Sequence, residues 1–178
     1  RHGVLQVVSY QTTTGYATTT YGHWPAVLPV FLILLAFIGG CAGSTAGGMK
    51  VIRWQLVVLQ GMREMKRLVH PSAEMPVKFA DRPVPQQVLT AVTGFFAMYL
   101  VLFGTMMLVL MTLGIDQITA WSAVASGLNN QVPGLGDVHF NYTSLHDEAK
   151  WVVVAAMVIG RLEVFTLLVL FTPTFWRR

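Results

Sequence analysis

Between Arg82 and Asp116 the chain carries no charged residue, and the stretch VLTAVTGFFAMYLVLFGTMMLVLMTL inside that interval exceeds the roughly 20 residues an α-helix needs to cross a bilayer. Few folds accommodate such a run, and a transmembrane helix is the simplest. A second span is predicted from Trp151 to Trp176, apolar except for Arg161 and Glu163 near its middle and closed by the aromatic and basic WRR. Composition agrees: of 178 residues, 54% are hydrophobic and only 11% charged, and the mean hydropathy is +0.57, outside the usual range of a soluble domain. The net charge of +4 does not point to nucleic acid. Seven of the twelve basic residues fall between Lys50 and Arg82 and two more are Arg177 and Arg178, a clustering typical of cytoplasmic flanks of membrane segments. Cys41 is the single cysteine, so an intrachain disulfide is excluded and the redox compartment cannot be read from it. The sequence opens at Arg1 without an initiator methionine or a signal-peptide pattern, and is expected to be a fragment lacking its N-terminal part.

Two further apolar stretches, AVLPVFLILLAFI (26 to 38) and VIRWQLVVL (51 to 59), are each too short to span; they reach across only together with GGCAGSTAGGMK between them. That glycine run is not a phosphate loop. Walker A requires lysine directly after its last glycine, where this chain has Met49, with Val51 after Lys50, and a dinucleotide loop requires a strand-to-helix context. A surface turn would strand two apolar arms. The pattern predicts a helix broken inside the membrane, its freed backbone groups satisfied by water or protein. Small residues at that depth serve one of two ends: a movable obstruction in a pore, or a face for close helix packing.

The segment DQITAWSAVASGLNNQVPGLGDVHF is too short and too polar to span. Asp116 suits the N-cap of a short helix ending near Asn129, after which VPGLG must leave extended or turned. Irregular backbone at membrane depth is tolerated only when buried in protein or lining water, so a re-entrant pore loop is expected. Aligning Ser9 with Ser126 sets SYQTTTGYAT against SGLNNQVPGL, which predicts a second loop of the same design at the N-terminus. Placing Arg63, Lys66, Arg67, Lys78 and Arg82 in the cytoplasm sends the helix over 88 to 113 outward and brings the one over 151 to 176 back. The connection bearing Asp137, Asp147 and Glu148 is then external and acidic. Trp24, Trp54, Trp151 and Trp176 flank apolar segments and are expected as interfacial anchors.

In TTTGY, glycine permits dihedrals barred to other residues, so successive carbonyls can turn toward one axis and replace the hydration shell of a potassium ion. A short helix ahead of each loop would aim its partially negative C-terminal end at the cation. The competing reading is a threonine-rich external turn. Arg161 costs roughly 2.5 to 3.5 kcal/mol at the centre of a spanning helix, so it should face a water-filled path, as a barrier to cations, or a structural ion pair between helices. Glu163, two positions on, lies on another face. The five histidines show no metal spacing, and no catalytic set of residues presents itself; the chain is not expected to be an enzyme or to bind nucleic acid. Rival readings are a small tetrameric channel subunit, against which two unlike loops argue, and a non-conducting membrane scaffold, or fragment, whose loops serve only packing.

FIGGCAGSTAGGMKVIR, NNQVPGLG and GRLEVFTLLVLFTPTFWR resemble the third and fourth repeats of the TrkH-type membrane subunits of the Trk/Ktr/HKT superfamily, over essentially the whole chain. The resemblance implies an all-α membrane protein of the bacterial inner membrane. Its units are helix, pore loop, helix, and this chain would be the C-terminal half of a four-repeat pore. Residues 1–85 would end the third repeat, with pore loop 1–22, broken helix 24–69 and cytoplasmic linker 70–85. Residues 86–178 would form the fourth, with first helix 86–114, pore helix 116–129, filter 130–136 and second helix 149–176.

The resemblance further implies potassium uptake, with potassium as the transported ion and no covalent cofactor, through a filter formed by Thr13, Thr14, Gly15, Asn130, Gln131 and Val132. An intramembrane gate would comprise Gly39, Gly40, Cys41, Ala42, Gly43, Ser44, Thr45, Ala46, Gly47, Gly48 and Lys50, with Arg161 at the constriction. The implied partners are a TrkA-type cytosolic nucleotide-binding ring, a second copy in a homodimer, and membrane lipid. Channel-like conduction and symport with sodium or protons both fit. Val132 departs from the family's filter glycine, and a β-branched residue resists positive φ. Either Val132 keeps the carbonyl geometry in an extended conformation, or discrimination is relaxed and Val132→Gly raises the potassium-to-sodium flux ratio.

Overall fold

The computed structural model describes residues 2–16, 24–25, 27–41, 43–71, 73, 75–131, 134–139, 141–162 and 176. The long uncharged run forms α4, Gln86–Thr112, the one helix among the described residues long and apolar enough to cross a membrane. Its threonines do not leave polar groups stranded. Thr90, Thr93 and Thr105 donate their hydroxyls to the carbonyls of Gln86, Leu89 and Val101, one turn back. The helix ends in a Schellman turn, with Ile115 N–H on Leu110 C=O (3.3 Å) and Gly114 N–H on Met111 C=O (3.0 Å). Gly114 supplies the positive φ of 85° that the turn demands.

The other α-helices that lie within the described residues are α1 (His2–Thr12), α2 (Val27–Phe37), α3 (Val51–Val69), α5 (Gln117–Leu128) and α6 (Asp147–Arg161). Pro29 is tolerated in α2 because it falls in the first turn, where an amide has no intrahelical acceptor. Asp116 caps α5: its carboxylate accepts from the N–H groups of Ile118 and Thr119, both at 3.1 Å. The linker between α3 and α4 adds a small β-hairpin to the helices. Its strands are β1 (Lys78–Phe79) and β2 (Arg82–Pro83), paired antiparallel with Phe79 opposite Arg82.

Helix α5 occupies the middle. Every residue from Ser122 to Leu128 is buried, and the helix packs against α2, α4 and α6. Gly127 allows α6 to approach, since a Cβ there would already lie 3.1 Å from that of Ala156. One apolar cluster joins Phe95, Tyr99 and Leu110 of α4 to Val124 and Leu128 of α5 and to Val153 and Ala156 of α6. A second joins Tyr10 of α1 to Leu32, Ile33 and Ala36 of α2 and to Ala125 of α5. The polar residues of α5 are held inside this packing: Ser122 Oγ donates to Leu135 C=O (3.0 Å), and Ser126 Oγ and the Tyr142 hydroxyl lie 2.6 Å apart.

Candidate functional site

Helices α1 and α5 end in the same way. Thr14 N–H donates to Ser9 C=O (3.1 Å) and Gln131 N–H to Ser126 C=O (2.8 Å), each five residues back. The residue between is left-handed in both: Thr13 has φ 54° and Asn130 φ 53°. Both have the long closing bond of the turn that ends α4, and in α5 Asn130 N–H on Gly127 C=O (3.0 Å) completes the Schellman motif; a threonine and an asparagine stand where glycine is favoured. A β-branched residue in that region is uncommon and costs about 1 to 2 kcal/mol. The Ser9 to Ser126 register thus relates the two turns residue for residue, although their side chains differ. Among the described residues, no hydrogen bond ends on the main-chain oxygens of Thr13, Thr14, Asn130 or Gln131. Gly15 follows the first turn with φ 75°.

Between α2 and α3 the chain leaves the helix and returns to nearly the same point. Gly39 N–H donates to Met49 C=O (2.7 Å), Met49 N–H to Phe37 C=O (3.1 Å) and Val51 N–H to Gly40 C=O (3.2 Å), closing the excursion at its neck. The neck is tight enough that a Cβ on Gly48 would sit 2.5 Å from Ala36 C=O. Trp54 Nε1 also donates to Phe37 C=O, at 3.1 Å, and its ring meets Phe96 edge-on at 5.1 Å. Half-buried Trp54 therefore staples the break from one side, a role beyond that of the interfacial anchor expected of it. Trp24 likewise packs against the second cluster, whereas Trp151 and Trp176 are exposed.

The loop's outward carbonyls are met by two cations. Lys50 Nζ donates to Ser44 C=O (2.6 Å) and Ala46 C=O (2.8 Å), and Arg161 Nη1 to Thr45 C=O (2.7 Å). Three consecutive carbonyls thus have charged donors. On the opposite side, Gly47 N–H donates to Thr13 Oγ1 (3.0 Å), and the Gly47 Cα lies against the main chain of Asn129 and the Cβ of Asn130. Gly160 makes the corresponding approach from α6: a Cβ there would overlap Leu128 C=O and come within 2.9 Å of Asn130 Nδ2.

Two cavities adjoin the loop. One of about 500 Å³ is lined by Thr13 and Asn130 and, facing them, by Gly40, Cys41, Thr45 and Arg161. Another of about 260 Å³ is bounded by residues 43–48, Lys50, Gly160 and Arg161. Ser44, Thr45, Ala46 and Arg161 line both, forming a common wall. The partner of Arg161 among the described residues is thus a loop carbonyl rather than a carboxylate.

The structure brings Thr13, Asn130, the glycine loop, Lys50 and Arg161 together. Ala42, Val132 and Glu163 lie outside the described residues. Sequence reasoning missed Trp54, Asn129 and Gly160. Asn129 is buried, with its Oδ1 accepting from the Tyr99 hydroxyl at 3.1 Å, which ties the end of α5 to α4. The available signals were a glycine directly before a mid-span arginine and a polar pair, Asn129 and Asn130, at the end of a short helix.

The profile of the family described as TrkH, cation transport protein, matches residues 1–178. The chain is 53% identical over 174 residues to the Trk system potassium uptake protein TrkH of Vibrio parahaemolyticus, covering 98% of this chain and 36% of that protein. Over 173 residues it is 54% identical to the protein of the same description from Escherichia coli K12, covering 97% of this chain and 36% of that one. The crystal structure of the potassium transporter TrkH from Vibrio parahaemolyticus superposes with a TM-score of 0.92 at 53% identity, covering 99% of this chain and 38% of that one. The chain therefore spans about a third of the length of the relatives it matches.

Proposed function

Because the chain belongs to the TrkH cation transport family, we propose that α1 and α5 with their terminal turns are two of the pore loops of a potassium-uptake protein in the bacterial inner membrane. The remaining loops would be supplied by the part of the relatives' length that this chain does not span. The observation that carries this reading is the pair of left-handed turns at Thr13 and Asn130, in one register and above one cavity. Strained backbone of this kind persists where the surroundings over-determine it, and it concentrates at functional sites. Here it leaves carbonyls of Thr13, Thr14, Asn130 and Gln131 for a dehydrated monovalent cation, with Gly15 and Val132 continuing the two filter strands. The side-chain amides of Asn130 and Gln131 have buried nitrogens without a partner among the described residues, which suits an interior that further pore loops complete.

In this reading the loop from Gly39 to Lys50 is the obstruction beneath the filter. Arg161 and Lys50 hold it there through its carbonyls and place two positive charges beside the conduction path, where they raise the barrier to a cation. A TrkA-type nucleotide-binding ring is the proposed cytosolic partner, on the side where α3 ends with Lys66 and Arg67, and a homodimer is the proposed assembly. The test is growth of a potassium-uptake-deficient bacterium at low external potassium when it expresses the full-length protein. Restored growth that is lost on deleting residues 130–136 supports the reading; restored growth that survives the deletion refutes it, as does failure to restore growth by protein that reaches the membrane folded.

A further inference from the structure

Resting on that reading, we infer that the hydroxyl of Thr13 couples the ion site to the glycine loop, so that an ion held by the first pore loop also holds the loop below it in place. Thr13 faces both ways. Its left-handed backbone sets the direction of the carbonyls at the end of α1, while its Oγ1 accepts the Gly47 N–H at 3.0 Å. The hydroxyl's own proton goes to Thr12 C=O at 2.8 Å, which orients the oxygen as an acceptor. The second turn touches the same residue: a Cβ on Gly47 would come to 3.2 Å from that of Asn130 and would overlap Asn129 C=O. One glycine of the loop is thus seated against both turns, by a hydrogen bond to one and by van der Waals contact with the other.

The coupling follows from what each partner needs. The turn at Thr13 carries backbone strain that an ion on its carbonyls would offset, so occupancy narrows the positions available to the Thr13 side chain. A fixed acceptor strengthens a hydrogen bond that is otherwise one of several alternatives for the Gly47 amide, water included. By linkage, a docked loop must then also favour the occupied ion site. The arrangement needs glycine at 47 for the approach and a hydroxyl at 13 for the bond. It does not need the hydroxyl for ion binding, which uses main-chain oxygen.

Hydrogen exchange of the full-length protein in detergent, read on the peptide spanning residues 43–50, tests this with potassium against N-methylglucamine as the buffer cation. Wild-type protein should exchange about fivefold more slowly in potassium, the effect of one net hydrogen bond of about 1 kcal/mol. Thr13→Val, which keeps the β-branch, should abolish the difference; Thr13→Ala should do the same should the valine variant not fold, and Thr13→Ser should retain it. A wild-type protein indifferent to potassium, or hydroxyl-free variants that keep the full difference, overturns the coupling. Potassium flux measured on the same preparations separates the two ideas. Wild-type protein that conducts while its loop ignores potassium refutes only the coupling, whereas folded protein that binds and conducts no potassium removes the pore reading as well.

Discussion

Replacing Gly47 by alanine tests the docking of the loop with a single methyl group. Gly47 is not among the residues with positive φ, so alanine meets no backbone penalty and the cost lies entirely in contact. The new Cβ would overlap the carbonyl oxygen of Asn129 and lie 3.0 Å from its carbon and 3.2 Å from Asn130 Cβ. Carbon atoms pack at about 3.5 to 4.0 Å, and the opposing atoms are mostly main chain at the end of a buried helix, so they cannot swing aside. Overpacking of this sort costs about 1 to 3 kcal/mol, enough to move a docked-to-undocked equilibrium by about 5- to 150-fold. Two other glycines calibrate the result. Gly61, inside α3 with open space where a Cβ would go, should tolerate alanine and gain about 0.5 to 1 kcal/mol of stability from helix propensity. Gly43 also has open space but a φ of 80°, so alanine there should cost about 1 to 2 kcal/mol through conformation alone. Thermal unfolding and hydrogen exchange of the full-length variants, with potassium flux alongside, should show Gly47→Ala with a deprotected loop and raised flux and Gly61→Ala with neither. A Gly47→Ala protein indistinguishable from Gly61→Ala in loop protection would refute the docked geometry.

Removing the Arg161 guanidinium frees Thr45 C=O and takes one positive charge from the wall shared by the two cavities, so Arg161→Ala should accelerate potassium uptake; loss of folded protein instead would mark the residue as structural. Trp54→Phe should keep the edge contact with Phe96 and lose the bond to Phe37 C=O, lowering thermal stability by about 1 kcal/mol, whereas Trp54→Ala should cost about 3 to 5 kcal/mol through lost packing as well. Asp116→Ala removes the cap of α5 and should destabilise by about 0.5 to 1 kcal/mol in unfolding experiments, at the low end because the site is open to solvent. The Asp116 carboxyl is held below its ordinary range by the Thr119 side chain and then by backbone N–H groups. Its contribution is therefore complete above the ordinary carboxylate range and fades as pH falls through the lowered one, so the difference between wild type and Asp116→Ala should vanish in strong acid.

Much of this architecture could be read from local patterns because those patterns are backbone requirements. An uncharged run long enough to span a bilayer has few alternatives to α4, and an aspartate ahead of a short polar helix has an evident task at its N-terminus. The alignment of Ser9 with Ser126 was legible for a related reason: Schellman turns recur at fixed distance from a helix end, so the turns at Thr13 and Asn130 share a register even where residue types do not. What escaped was long-range. Trp54 resembles an interfacial tryptophan in sequence, and only the closure of the loop at Phe37 and Met49 brings within its reach the Phe37 carbonyl, which accepts from both the Met49 amide and the indole. Gly160 shows nothing in sequence of the α5 carbonyl it accommodates, because that partner lies in another helix. The small hairpin at residues 78–83 was hidden for another reason: Ala80 and Asp81 both adopt positive φ, 47° and 62°, without the glycine or asparagine that usually marks such a turn.

The break between α2 and α3 connects these observations, because a helix interrupted in an apolar environment must find partners for backbone groups it no longer satisfies itself. Its neck does so with its own main chain, through Gly39, Met49 and Val51, and with the Trp54 indole. The outer part has no such recourse: the carbonyls of Ser44, Thr45 and Ala46 are met by Lys50 and Arg161, and the Gly47 amide by Thr13. Lysine and arginine are costly at membrane depth, and an uncharged serine or asparagine could have donated to a carbonyl more cheaply. On the proposed function, donors bearing charge are advantageous because the same groups would also act on a cation passing the loop, whereas a neutral donor would hold the loop equally well while presenting little barrier. On that proposal the polar chemistry of the break answers two demands with one set of residues: closing the backbone's hydrogen bonds, and setting the electrostatic potential of the path the loop would obstruct.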